Sequence, residues 1–145
     1  MNLREDHIIR IKSRIEQDGE STGIELMTRG NFARRNGSYF ISYQETETTG
    51  YDGCTTTLKV AEDQSKVTLL RYGQANTQLT VERGRRHVCH YETAYGSMSM
   101  GVTADEIVSQ LTEKGGTVKF SYLLDSGSAE VISKNSLEIT VTHVN

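Results

Sequence analysis

Arg71 is the side chain in this sequence that most constrains the chemistry. Val67, Leu69 and Arg71 share one parity, so on a β-strand Arg71 faces the interior if Leu69 does. A buried guanidinium needs an acceptor, because an unpaired buried charge is very costly. The acceptor is either the Glu45 carboxylate, in a structural pair, or a ligand carboxylate, which suits the two-pronged donor geometry of arginine. We favour the structural pair, since ion pairs with no binding role also use such residues.

Four tyrosines and a threonine recur on the predicted strands. They are Tyr43, Tyr91, Thr93, Tyr95 and Tyr122. A tyrosine has an apolar ring and a polar tip, so a group of them can line a ligand cavity with adjustable hydroxyl groups. The alternative is that the rings pack in the core and their hydroxyl groups bind strand ends. Together with Arg71 and Glu45, these five residues are the predicted ligand-binding set.

The run His87-Val88-Cys89-His90 is the only hint of a metal site, and it is weak. On a strand, His87 and Cys89 share a face while His90 points away, which leaves too few ligands for a closed zinc site. A further ligand would have to converge from His7, His143 or Cys54. We therefore expect no metal and no other cofactor, with the two cysteines as small core residues.

The elements that position these residues are predicted to be β-strands. Residues 7–16 alternate, with Ile9 and Ile11 on one face, and this period of two recurs through most of the chain. Asn36-Gly37 is the clearest turn, since both positions of a type I′ turn need positive φ. The predicted fold is all-β, an antiparallel meander of about eight to ten strands. We expect it to close into an up-and-down barrel, because closure removes bare edges, with strands pairing near Ile11 and Ile139.

Two local features leave alternatives open. The segment 104–113 begins with a capping-box pattern, Thr103-Ala104-Asp105-Glu106, and has apolar residues at helical spacing. Ile107 and Leu111 also fit a strand, so both helix and strand are consistent with this segment. Gly30 interrupts the second strand, and a glycine inside a strand indicates a bend or a bulge.

Length and composition limit the class of protein. The 145 residues predict one domain, spanning 1–145. The net charge of −3 argues against nucleic-acid binding, which needs a basic surface. No apolar run suits a membrane span or a secretory leader, and two cysteines do not make a disulfide framework. With no nucleophile–base motif, phosphate loop or carboxylate cluster, we expect a cytoplasmic protein that is not an enzyme.

Several short motifs, taken in order, carry a resemblance to a known family. They are Thr28-Arg29-Gly30, Tyr43-Gln44-Glu45, Arg71-Tyr72-Gly73, residues 91–96 and Tyr122. In this order and spacing the sequence resembles the YwiB-like family of small uncharacterised proteins from Gram-positive bacteria, over essentially the whole chain. The resemblance implies a lipocalin-like, calycin-type β-barrel. It implies no activity, because none is established for the family.

These observations predict a cytoplasmic barrel that binds a small ligand and interacts with neither nucleic acid nor membrane. The ligand is partly apolar, and it is anionic if its own carboxylate pairs with Arg71. The polar motif residues motivate this reading, since they lie within strands and away from the solvated turns. The alternative is a structural or protein-interaction barrel with a filled interior and an exposed apolar patch around Met98 and Met100.

Overall fold

The computed structural model describes residues 6–47, 52–73, 76–93, 96–127 and 130–144, with the backbone only for residues 91–93. Ten β-strands follow one another along these residues. They are β1 (His7–Gln17), β2 (Glu20–Arg35), β3 (Ser38–Gln44), β4 (Thr55–Ala61), β5 (Lys66–Tyr72), β6 (Thr77–Glu82), β7 (His87–Thr93), β8 (Gly96–Thr112), β9 (Gly115–Asp125) and β10 (Val131–His143). Within the described ranges, no helix is long and apolar enough to cross a membrane.

Pairing between the first and last strands closes the sheet into a barrel. Each strand runs antiparallel to the next in the chain, and β10 runs antiparallel to β1. Ile11 lies directly opposite Ile139, as the alternation predicted. The predicted all-β, closed, up-and-down barrel is therefore confirmed, with ten strands.

The core lies inside the barrel and is built from one face of each strand. In β1, Ile9 and Ile11 are buried while Arg10 and Lys12 are exposed, which is the predicted period of two. The large side chains with the least exposure come from almost every strand: Phe120, Ile9, Ile41, Leu58, Leu79, Ile107, Ile139, Val60, Val67, Val81, Val102 and Val118. Burial of each such side chain contributes about 1.5–3 kcal/mol to folding.

The segment 104–113 is strand up to Thr112, so the helical alternative is wrong. It lies in β8, which pairs with β9 on both sides of Asp105. Asp105 forms a β-bulge instead of starting a helix, and the register shifts between Ala104 and Glu106. Its carboxylate accepts a hydrogen bond from the Ser121 hydroxyl at 2.9 Å. Pairing with β9 outweighs the local helical pattern because it joins this segment to the hydrogen-bonded ladder of the barrel.

The turn at Asn36-Gly37 joins β2 to β3 as predicted. Its two residues have φ of 51° and 79°, the positive values that a type I′ turn requires. The turn brings β2 and β3 into the pairing that places Tyr43 beside Gly30.

Gly30 does not form a bulge, and that alternative is wrong. It pairs in register with His7 of β1 and with Tyr43 of β3, so β2 passes from one partner to the other at this residue. A Cβ atom here would lie 2.3 Å from the Ser42 carbonyl oxygen and 2.4 Å from Ile9 Cδ1. The glycine is needed because the neighbouring backbone and side chain approach too closely for any other residue.

The pairing of β6 with β7 is short. It comprises Thr77 with Tyr91 and Gln78 with His90. Further along β6, the Thr80 backbone N–H donates to the Cys89 sulfur at 3.4 Å, where a ladder would offer a carbonyl oxygen. The barrel wall is therefore less continuous along this seam than between the other neighbouring strands.

Gly30→Ala tests the close approach of β1 and β3 to Gly30 in β2. We expect a loss of about 1–3 kcal/mol in the free energy of unfolding, because the added methyl group overpacks against Ser42 and Ile9. Gly23→Ala, in the same strand, is the matched control, since its Cβ would meet only the Ser13 carbonyl oxygen at 3.5 Å. Urea unfolding of both variants measures the difference, and equal stabilities would contradict the steric argument.

Candidate functional site

One end of the barrel opens into an internal cavity of about 400 Å³. This is the end at which β1 finishes and β2 begins. Most of its lining is apolar and includes Ile11, Leu69, Leu79, Met100 and Leu124. The polar lining includes Tyr43, Glu45, Arg71, Thr77, Tyr122, Ser133 and Asn135. A mainly apolar hollow with a few convergent polar groups is the usual form of a small-molecule site.

A row of polar residues crosses four neighbouring strands at the cavity. Tyr43 in β3 lies opposite Thr56 in β4, which lies opposite Arg71 in β5, which lies opposite Thr77 in β6. Residues directly opposite one another on paired strands project from the same face, here the inner one. The register therefore brings together residues that are far apart in the chain. The backbone of Tyr91 continues this row in β7.

Arg71 and Glu45 form an ion pair at the edge of the cavity. Arg71 Nη2 and Nε donate to Glu45 Oε2 at 3.1 and 3.2 Å. The Thr56 hydroxyl donates to the same oxygen at 2.7 Å. The Arg71 side chain is 13% exposed and that of Glu45 is 2% exposed. The predicted Arg71–Glu45 pair is thus present, and Arg71 lines the interior together with Leu69.

Tyr43 and Tyr122 are buried side chains that line the same cavity. Burial, and then the nearby Glu45 carboxylate, raise the pKa of Tyr43 well above its usual value. Its hydroxyl therefore stays protonated. Tyr122 stacks on Phe120 with ring centroids 6.2 Å apart, which holds its ring against the core.

The structure brings together four of the seven predicted site residues, namely Tyr43, Glu45, Arg71 and Tyr122. Tyr95 and the side chains of Tyr91 and Thr93 lie outside the described residues. That these seven residues bind a ligand remains a prediction.

Three buried polar residues of the lining were missed by reasoning from the sequence. Thr77, Ser133 and Asn135 are buried, and the Asn135 amide donates to the Ser133 hydroxyl at 3.0 Å. A signal was available, because Ser133 and Asn135 continue the inward parity of Ile139 and Val141. Thr77 in the same way shares the parity of Leu79. Extending each apolar face to its strand end would have found all three.

The histidines and cysteines of the weak metal motif have separate partners. His87 Nε2 lies 2.7 Å from Glu82 Oε1, and His90 Nδ1 lies 3.0 Å from the Ser99 hydroxyl. Cys89 is buried, and this burial raises the pKa of its thiol. The prediction that both cysteines are small core residues is confirmed, since both are buried.

The barrel surface also carries outer grooves, which differ from the cavity in their lining. One of about 540 Å³ is bordered by charged side chains such as Lys12, Glu25 and Lys119. Another, of about 630 Å³, follows the β6–β7 seam and is lined by residues including Tyr72, Val88 and His90. The internal cavity is set apart by its buried ion pair and its apolar floor.

The fold and the cavity define a closed ten-stranded antiparallel barrel with a hollow at one end. The chain belongs to the family described as "Domain of unknown function (DUF1934)", whose model matches residues 9–139. It is 25% identical over 122 residues to the "Uncharacterized beta-barrel protein YwiB" of Bacillus subtilis, covering 84% of this chain and 83% of that protein. The crystal structure of the B. subtilis ywiB protein superposes with a TM-score of 0.81, at 23% identity, over 96% of this chain and 92% of that one.

Glu45→Gln tests the buried ion pair. We expect a loss of about 3 kcal/mol in the free energy of unfolding, because the change leaves the Arg71 charge buried without a counter-charge. Glu62→Gln, which weakens the exposed pair with Arg34, is the control and should have a much smaller effect. Equal effects in urea unfolding would count against a buried pair. Replacing both partners, with Glu45→Gln and Arg71→Met, should recover part of the loss.

The raised pKa of Tyr43 predicts that the free energy of unfolding depends on pH in the alkaline range. Because its folded pKa is raised, Tyr43 binds its proton more tightly in the folded state, and its contribution is complete below the unfolded pKa of about 10. Above that pH the unfolded chain ionises first, so stability falls by up to about 1.4 kcal/mol per pH unit. Unfolding free energies of the wild type and Tyr43→Phe between pH 9 and about 11 measure this slope. Tyr72→Phe, at an exposed tyrosine, is the control, and parallel curves for wild type and Tyr43→Phe would contradict the prediction.

Proposed function

We propose that this protein is a non-enzymatic, cytoplasmic binding protein that holds a small, partly apolar ligand in the barrel cavity. The observation that carries the proposal is the internal cavity of about 400 Å³, closed below by the apolar core and bordered by the Arg71–Glu45 pair. A barrel of this size can hold one small ligand. Lipocalin barrels hold one small ligand in their interior, which supports the proposal as an analogy of fold.

Thr77 supports a polar contact to the ligand. Its side chain lines the cavity, and within the described residues its buried hydroxyl has no hydrogen-bond partner. A buried hydroxyl without a partner costs free energy, which a ligand group at hydrogen-bond distance would recover. Thr77 also lies next to Arg71 in the polar row, so one ligand head group can reach both residues.

The balance of charge within the buried Arg71–Glu45 pair favours an uncharged head group beside it. Arg71 alone would attract an anion, but Glu45 already neutralises it at 3.1 Å. The pair together offers donors and an acceptor without a net charge. A head group that both donates and accepts hydrogen bonds, such as a hydroxyl or an amide, matches this arrangement better than a carboxylate.

A reducing compartment is consistent with the cysteines. Cys54 and Cys89 are both buried and do not form a disulfide with each other, which is the usual state of cysteines in a cytoplasmic protein. The alternative, an interaction barrel without a ligand, has less support. Met100 packs against the core instead of joining an exposed patch, and of the two methionines only Met98 is exposed.

Met100→Trp tests the cavity with fluorescent probes. The larger side chain fills part of the hollow, so we expect the affinity for the neutral probe N-phenyl-1-naphthylamine to fall at least about tenfold. Met27→Trp makes the same change on an exposed outer position and should leave binding unchanged. Fluorescence titration measures both variants. Absence of saturable binding to the wild type, or equal binding by the two variants, would overturn the proposal.

A second probe with the same aromatic framework tests whether the cavity prefers a neutral or a negatively charged ligand. Anilinonaphthalene sulfonate adds one negative charge to this aromatic framework, and we expect the wild type to bind it more weakly than the neutral probe. Glu45→Gln should reverse this preference, because it leaves the Arg71 charge unbalanced. Native mass spectrometry of freshly purified protein then gives the mass of any ligand that is retained.

A further inference from the structure

We propose that Asp6, His7 and His143 form a binding site for a divalent transition-metal ion, with zinc as the probe. These residues lie where β1 begins and β10 ends, at the other end of the barrel from the cavity. Among the described residues they are the group of three whose potential ligand atoms all lie within 4.8 Å of one another. The site is independent of the ligand-binding proposal.

Strand pairing brings the two histidines together. His7 and His143 lie directly opposite each other in the β1–β10 ladder. They share the inward parity of Ile9 and Val141, so both rings project from one face. Their ring centroids are 4.9 Å apart in an edge-on arrangement. The closure of the barrel therefore creates a cross-strand histidine pair that neither strand contains alone.

Asp6 places a carboxylate between the two imidazole rings. Its Oδ1 lies 2.8 Å from His7 Nδ1, and its Oδ2 lies 3.8 Å from His143 Nε2. The Asp6 carbonyl oxygen accepts a hydrogen bond from the Val144 backbone N–H at 2.8 Å, which holds Asp6 beside the end of β10. Two imidazole nitrogens and one carboxylate oxygen are a donor set that suits zinc and neighbouring transition metals.

The distances are compatible with one ion. Zinc bonds to nitrogen and oxygen of about 2.0–2.2 Å place neighbouring tetrahedral ligands about 3.3–3.5 Å apart. The distances from the Asp6 carboxylate to the two imidazoles, 2.8 and 3.8 Å, lie on either side of this range. Rotation of the exposed His143 side chain can bring its nitrogen closer to the carboxylate. His7 is held by packing against Phe32, with ring centroids 5.5 Å apart. With His7 fixed and with Asp6 and His143 adjustable, three of the four tetrahedral positions are filled. The fourth position, on the exposed side, is left for water.

The proposed metal site is partly buried, because His7 is buried, and this distinguishes it from a surface cluster of charges. The His7 side chain is 10% exposed, whereas that of His143 is 50% exposed. Metal can enter from the solvent side at His143, while the ring of His7 lies within the barrel end. The sequence predicted no metal site because Asp6, His7 and His143 lie at opposite ends of the chain and meet only through β1–β10 pairing.

Isothermal titration calorimetry of tag-free, chelator-treated protein with zinc chloride tests the site. We expect one zinc ion per chain with micromolar affinity, and a loss of at least about tenfold for His143→Ala. His143 is the residue to replace because it is exposed and its loss leaves the core intact, which circular dichroism verifies. His90→Ala is the matched control, since His90 is also exposed and on a strand, and it should bind zinc as the wild type does.

A thermal measurement gives an independent readout. Zinc that binds the folded chain must raise its melting temperature, by an amount that grows with the zinc concentration. This rise should be present in the wild type and in His90→Ala, and lost in His143→Ala and Asp6→Asn. The proposal is overturned if the wild type binds no zinc, or if His143→Ala binds zinc as tightly as the wild type.

Discussion

Antiparallel pairing of β1 with β10 is the constraint on which the rest of the structure depends. A meander of ten strands that stayed open would leave two unpaired edges and no enclosed interior. Closure places Ile11 against Ile139 and gives every strand two neighbours. Because this contact joins the two ends of the chain, it is the most non-local one in the fold. The enclosed cavity and the histidine cluster exist only once it has formed.

The closed barrel divides its interior into an apolar core and a polar rim. The inward positions are apolar along most of each strand and become polar where the strands reach the open end. A buried ion pair in the middle of the core would be costly, because desolvation can exceed the attraction between the charges. At the rim, Arg71 keeps 13% of its side chain exposed, and Thr56 adds a hydrogen bond to Glu45. The position of the pair therefore limits its cost while shaping the mouth of the cavity.

The two ends of the barrel differ in chemistry. The open end has the cavity and its charge-balanced pair, whereas the other end is closed by packed rings. Phe32 stacks on Tyr39 with centroids 5.8 Å apart, and His7 lies against Phe32. Along the wall, the short β6–β7 ladder is the seam where local opening is expected to cost least, since few backbone hydrogen bonds join it.

The sequence by itself determined the strands and the closed barrel, but it left open which face of a strand such as β5 points inward. Alternation of Ile9 and Ile11 with charged residues is a local property, and the turn at Asn36-Gly37 depends only on the conformations that its residues allow. Only the tertiary structure decided between helix and strand for the segment 104–113, because pairing with β9 supplies energy that the local pattern does not contain. The tertiary structure also explains the glycine at position 30, because Ile9 in β1 and Ser42 in β3 leave no room there for a side chain.

The candidate site shows the same division. Parity placed Arg71 on the face of Leu69, and Glu45 was one of its two candidate acceptors; the geometry shows the Arg71–Glu45 pair. The alternation along β6 and β10 indicated an inward position for Thr77 and Asn135, but the residues beside them follow from the register between strands, which depends on pairing across the whole barrel. The convergence of Asp6, His7 and His143 has the same origin, since closure brings the chain ends together. The set of side chains that share a face follows from one strand alone, whereas the residue that lies beside each of them is set by the closed sheet.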